Sequence, residues 1–209
     1  VSQTDGGEAG TAKKDVGTAE AEGINCGLYQ PPPDTRHDIL GISFGMTADE
    51  AYARLACANP AFKLEYDTSG GFSTKALRDG SKPRKTLTAS AGLETATVSL
   101  IGLPGEEKVV AVQRRVEFGA GSEPPSETIV NRLTTKYGEP SRTIVDSGGS
   151  YAWVVFSPDG QKLGPDNSLY STCTHYQSTS DSISINSECG FTVRTSVSVK
   201  SDNPGLAHA

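Results

Sequence analysis

Methionine and tryptophan occur once each in this chain of 209 residues, and cysteine only four times. Apolar residues make up 35 % and aromatics 7 %, which is little for a globular protein. The shortage has a local cause. Residues 1–23 contain no Leu, Ile, Phe, Tyr or Trp, so they cannot bury enough apolar surface to offset the entropy of ordering them. The sequence therefore predicts a tail and linker over 1–37, ending in the stiff Pro31-Pro32-Pro33, and a short C-terminal tail over 201–209.

Other absences exclude whole classes of function. No apolar run approaches the roughly 20 residues of a membrane-spanning helix, so an integral membrane protein is not expected. There is no basic excess: the net charge is −6 and the pI about 5.1, which argues against nucleic acid as a partner. No H-E-x-x-H or G-x-S-x-G is present, and Gly70-Gly71-Phe72-Ser73-Thr74-Lys75 lacks the spacing of a phosphate-binding loop. Cys26, Cys57, Cys173 and Cys189 form no C-x-x-C pair, and His37, His175 and His208 do not complete a zinc set. No cofactor and no metal are expected. No signal-peptide pattern stands at the start, and the chain begins at Val1, as a processed or trimmed N-terminus would.

An even number of unclustered cysteines reads as two disulfides and an oxidising compartment. Periplasmic or secreted localisation follows as the expectation, and the lack of an N-x-S/T sequon fits a bacterial source. Cys173 and Cys189 lie equidistant from Asp181. A hairpin centred there would set them opposite each other, leaving Cys26 to join Cys57; Cys57 with Cys189 remains an alternative.

Against this background one stretch is strongly patterned: GISFGMTADEAYARL, from Gly41 to Leu55. Thr47 and Glu50 form a capping box, and Met46 and Ala51 a small staple. Ala51, Tyr52, Leu55 and Ala56 give a helical apolar stripe, and Asn59-Pro60 stops it. Alternation then changes to period two: Phe62, Leu64, Tyr66; Leu87, Ala89, Ala91; Ala96, Val98, Leu100; and Val109 to Phe118. The pattern repeats after Pro124-Pro125. Ser126 is the expected N-cap of a helix with Ile129, Leu133 and Tyr137 on one face, ended by Gly138 and Pro140. Strands are expected at Arg142–Val145, Tyr151–Phe156, Ser168–Tyr176, Ser182–Asn186 and Phe191–Val199. The fold class predicted is α+β: two tandem units, 38–118 and 119–200, each a short helix followed by an antiparallel sheet.

Phe44-Gly45-Met46-Thr47, with its short helix closing in leucine before a sheet, resembles the helix-plus-sheet module of the beta-lactamase inhibitor proteins. It is also similar to the small outer-membrane assembly lipoproteins, in which a Gly-Met-Thr type entry leads to a helix closing with Gly-x-Pro. Here Gly45-Met46-Thr47 stands in the first unit and Gly138-Glu139-Pro140 in the second. The resemblance implies two small sheets set side by side to form one surface.

Two features are candidate binding sites. Lys75, Arg78, Lys82, Arg84 and Lys85 form a local basic stretch in an acidic chain, a possible contact for an anionic surface; its bland reading is a solvated hairpin tip. Tyr151 and Trp153 share one strand face, with Phe156 on the other. An exposed aromatic face would bind a protein partner, whereas a covered one would be core. Glu106-Glu107 reads as a solvated turn. Asp146, Asp159, Asp166 and Asn167 lack the spacing of a calcium loop. His175 near Cys173 is a nucleophile pair only if that cysteine is free. The expected function is an exported, non-enzymatic protein–protein interaction module. The alternatives are a structural subunit of an envelope or extracellular assembly and a hydrolase whose site the sequence hides.

Overall fold

A computed structural model describes residues 24–29, 38–68, 84–146, 149–174, 188–199 and 207. The fold is α+β, with two tandem units that each set a helix against an antiparallel sheet. Lys82 and the three histidines lie outside the described residues, as do the expected strand Ser182–Asn186 and the Asp181 turn.

The first unit opens on a tight hairpin. Ile39 and Ile42 exchange backbone hydrogen bonds of 3.1 and 3.0 Å around Leu40 and Gly41, both at positive φ. Asp38 Oδ1 accepts from Gly41 N at 2.7 Å, and Ile42 is thereby driven into the core. Helix α1, Ala48–Ala58, carries the complete capping box: Glu50 N donates to Thr47 Oγ1 at 3.2 Å and Thr47 N to Glu50 Oε2 at 2.8 Å. Strands β1 Lys63–Asp67, β2 Thr86–Ala91, β3 Glu94–Ile101 and β4 Lys108–Val116 follow in spatial order β1-β2-β3-β4. The residues that alternate in sequence are those that face α1. Ala51 and Leu55 pack with Leu87, Ala89, Ala96, Val98 and Val109. Many of these side chains are small, which lets the helix lie close to the sheet. Cys26, in a short 3-10 turn at Cys26–Tyr29, is bonded to Cys57 near the end of α1.

Helix α2, Ser126–Tyr137, begins one residue earlier than expected. Pro125 is its N-cap and has no side-chain cap bond, and Ser126 is the first helical residue. Gly138 ends it at φ 86°, a conformation glycine adopts without strain. Strands β5 Arg142–Asp146 and β6 Gly149–Phe156 form a hairpin. The two-residue β7, Lys162–Leu163, extends the same side of β6, and β8, Thr192–Ser198, pairs along its other side.

Ser168–Tyr176, expected as a strand, instead contains helix α3, Ser168–Thr174. Asn167 starts it: its Oδ1 accepts from Leu169 N at 2.9 Å and its carbonyl from Tyr170 N at 3.0 Å. Helical spacing then turns Tyr170 and Cys173 onto Val155 and Leu163, a gain in burial that outweighs the strand propensity of the Ser, Thr and Tyr side chains. Cys173 and Cys189 are bonded as expected, but from the last turn of a helix to the coil preceding β8.

The two faces of β6 are covered differently. Val154 and Phe156 pack with Val193 under Leu133 and Tyr137 of α2. On the opposite face, Tyr170 and Cys173 of α3 pack with Val155 and Leu163, and half-buried Trp153 lies against that cluster. The two units meet where Tyr137 donates to the Asp38 carbonyl at 3.1 Å, Lys136 reaches Asp38 Oδ1 at 3.3 Å, and the Phe44 and Phe191 rings contact edge-on at 5.2 Å.

Gly149 sits at φ 144°, and a Cβ there would run into the carbonyl oxygen of Val197 and lie 2.9 Å from the Cα of Ser198. Gly149→Ala is therefore expected to lower stability by about 3 kcal/mol through strained backbone and a parted β6–β8 edge. A fall in the urea midpoint checks this.

Candidate functional site

Of the basic stretch, Arg84 and Lys85 are described. Arg84 is not a solvated cation. Its Nε and Nη2 donate to Glu107 Oε2 at 3.2 and 2.8 Å, its backbone N to Glu107 Oε1 at 2.9 Å, and its Nη1 to Asp49 Oδ1 at 2.5 Å. Its guanidinium lies 4.9 Å over the Tyr66 ring, which stacks on Tyr52. Lys85 is half-buried, and its backbone bonds Asp67 and Leu100. Glu107, expected as a solvated turn residue, is 1 % exposed. The correction has a clear reason: its carboxylate also accepts from Gly105 N at 3.0 Å, so burial is matched by donors.

Burial alone would raise the Glu107 pKa; the Arg84 hydrogen bonds and charge, together with backbone amides, outweigh it and hold the group down to about 2. Arg84 is raised, chiefly by those same bonds to Glu107. Burial pushes the Tyr66 hydroxyl up to about 12, partly opposed by Arg84. This is an architectural cluster whose charges are satisfied internally.

The second candidate is differently built. Register sets Arg142 of β5 and Arg194 of β8 on either side of Trp153. Their guanidinium carbons lie 5.6 and 5.8 Å from the indole centroid, within cation–π range. Both arginines are exposed while Trp153 and Tyr151 are half-buried. Neither arginine has a carboxylate within ion-pair distance among the described residues. Ile144, paired with Tyr151, is 38 % exposed on the same face, and Ser196 lies open beside it. Tyr151 and Trp153 do share a face, and Phe156 lies in the core on the other.

Where the units meet, Phe44, Phe156, Pro158 and Phe191 line a cleft of about 300 Å³ together with Ser43 and Gly190. It holds space for an apolar group, and no lining side chain exchanges a proton near neutral pH.

No protein-family model, curated protein or solved structure matches the chain. Cys173 is disulfide-bonded and offers no thiolate, and His175 lies outside the described residues. Among the described residues, no three His, Cys, Asp or Glu side chains gather to hold a metal ion, and no helix is long and apolar enough to cross a membrane. The two disulfides fit an oxidising environment.

Arg142 and Arg194 were not singled out from the sequence. The available signal was their strand parity, but it becomes informative only once β5 and β8 are known to flank β6. Phe44 and Phe191 likewise come together only through the packing of the units.

Two outcomes follow for the buried pair. Arg84→Met strands the Glu107 carboxylate and is expected to cost about 3–5 kcal/mol in denaturant unfolding. The folded Glu107 pKa lies below the unfolded one, so its stabilisation is complete above about pH 4.5 and is lost toward about pH 2. In Arg84→Met the sign reverses: without its counter-ion the buried carboxylate has a raised pKa, and protonation relieves the penalty. Unfolding free energies measured across that window in both proteins check this; parallel pH profiles would count against the pair.

Proposed function

We propose that this chain is an exported, non-enzymatic protein–protein interaction module of the bacterial cell envelope or extracellular space, and that the Trp153 face of the second sheet is its contact surface. The observation that carries this reading is the half-buried indole between two exposed guanidinium groups that have no carboxylate partner among the described residues. Tryptophan and arginine supply most of the energy where proteins meet, because each buries a large surface while retaining directional polar contacts. The sheet holds Tyr151 and Trp153 in fixed register, so little side-chain entropy is lost on binding.

Two disulfides support export, since such bonds persist in the periplasm and outside the cell. The resemblance of Phe44-Gly45-Met46-Thr47 and its helix to the beta-lactamase inhibitor proteins and the small outer-membrane assembly lipoproteins is part of the same reading. Protein is favoured over nucleic acid because a chain of net charge −6 repels a long polyanion, whereas two arginines suit a local pair of carboxylates.

The test is capture from an envelope or culture-supernatant fraction on the immobilised chain, with Trp153→Ala and Arg194→Glu beside the wild type. Each substitution is expected to weaken retention of the captured protein by tenfold or more, equivalent to about 1.4 kcal/mol or above. A partner retained equally by all three proteins places the contact elsewhere and overturns the assignment of this face.

A further inference from the structure

Sheet edges expose unpaired backbone donors and acceptors, and proteins guard them with charge, bulges or covering segments. The first sheet does so. Edge strand β1 presents Lys63, Glu65 and Asp67 to solvent. Edge strand β4 is bulged against β3 near Ser99 and Leu100, is partly covered by the Gly45–Met46 backbone, and ends in exposed Gln113, Arg114 and Arg115.

Strand β5 is different. It pairs with β6 alone among the described residues, in a ladder with no register shift. Arg142, Thr143, Ile144 and Val145 are all exposed, Val145 at 75 %. Two exposed β-branched apolar residues on a regular edge form a template for another strand.

The sequence of that edge reads Arg142-Thr143-Ile144-Val145-Asp146, with a cation at one end and an anion at the other. Set antiparallel to a second copy of itself about Ile144, it places Arg142 opposite Asp146 of the second copy, Thr143 opposite Val145, and Ile144 opposite Ile144. Two opposite-charge pairs form, one on each side of the two-fold axis. A slip of two residues sets Arg142 against Ile144 and loses both. A slip of one residue puts each side chain on the wrong face. Only the centred register satisfies the edge.

We infer that β5 is a homodimer edge: two copies join antiparallel through β5, centred on Ile144, to make one sheet running from β8 of one copy to β8 of the other. The interface stands independently of the partner reading for the Trp153 face, although it brings both Trp153 faces onto one side of the joined sheet. A five-residue edge covers far less than the ~1,600 Å² of a standard stable complex, so the dimer is reversible and concentration-dependent.

All four cysteines are paired, so one new cysteine reports cleanly. At the two-fold axis the Cβ atoms of opposed residues lie about 4.5–5.5 Å apart, close enough for a disulfide. Ile144→Cys is expected to form a covalent dimer under mild oxidation, while Val116→Cys, on the edge of β4, remains monomeric. By sedimentation velocity across a wide concentration range, Arg142→Asp and Asp146→Arg each weaken self-association roughly tenfold by opposing like charges, and the double exchange restores it. Cross-linking of Ile144→Cys no faster than of Val116→Cys overturns the inference. So does a double exchange that associates no better than the single variants. Loss of partner capture by Trp153→Ala with self-association intact leaves the dimer standing.

Discussion

The buried carboxylate of Glu107 is the interaction on which the first unit depends. Its side chain gathers Arg84 from the start of β2 and the Gly105 amide from the β3–β4 turn, and its own carbonyl accepts from Ala48 at the start of α1. Three elements distant in sequence are fixed by one residue. A chain with 35 % apolar content and a helix that meets its sheet largely through alanines has little dispersion energy to set the helix position uniquely. Directional bonds do so instead. The arginine is in turn held between Asp49 and the Tyr66 ring, while the Tyr66 hydroxyl donates to the Ala48 carbonyl at 2.9 Å. Polar and aromatic contacts thus converge on the same helix terminus from both sides.

That internal use of charge sets the first sheet apart from the second. The outer face of the first sheet pairs Thr88 with Thr97 and Ser90 with Thr95, short hydroxyl side chains that offer little apolar surface. The second sheet is held by α2 on one face and half-covered by α3 on the other, with Cys173–Cys189 tying α3 to the approach to β8. The short reach of α3 leaves Trp153 and Tyr151 at the boundary between core and solvent. Without α3, Val155 and Leu163 would lose their cover from Tyr170 and Cys173. Among the described residues, the exposed part of that face is a consequence of how the core is closed.

Local signals were readable in the residues themselves. Thr47 and Glu50 cap α1 because both partners lie within one turn, and the alternating Leu87, Ala89, Ala96 and Val98 face α1 because strand parity is a property of the chain alone. What escaped depends on distant partners. Glu107 looks solvated until Arg84 is brought to it. Ser168–Thr174 has strand-forming side chains, and only the buried ends of Val155 and Leu163 make the helix favourable. Arg142 and Arg194 become neighbours of Trp153 only when strands far apart in sequence pair on either side of β6. Ser126 illustrates a subtler failure: the residue type expected at the N-cap stands one position inside the helix, and Pro125 takes the cap position.

Arg142 belongs to both of the proposed surfaces. Its guanidinium lies over Trp153, and its backbone lies in the unguarded strand. A guanidinium has five donors in a planar fork, so it can remain over the indole while meeting a carboxylate across a new strand, but the two contacts fix the same side-chain torsions. Ordering those torsions for one contact lowers the entropy lost in making the other. If both proposed contacts are made, occupancy of the edge and occupancy of the face would be thermodynamically linked through one residue, equally in both directions. Arg194, on the far side of the indole and away from β5, carries no such link. The two arginines look equivalent around the ring, yet they differ in what they connect.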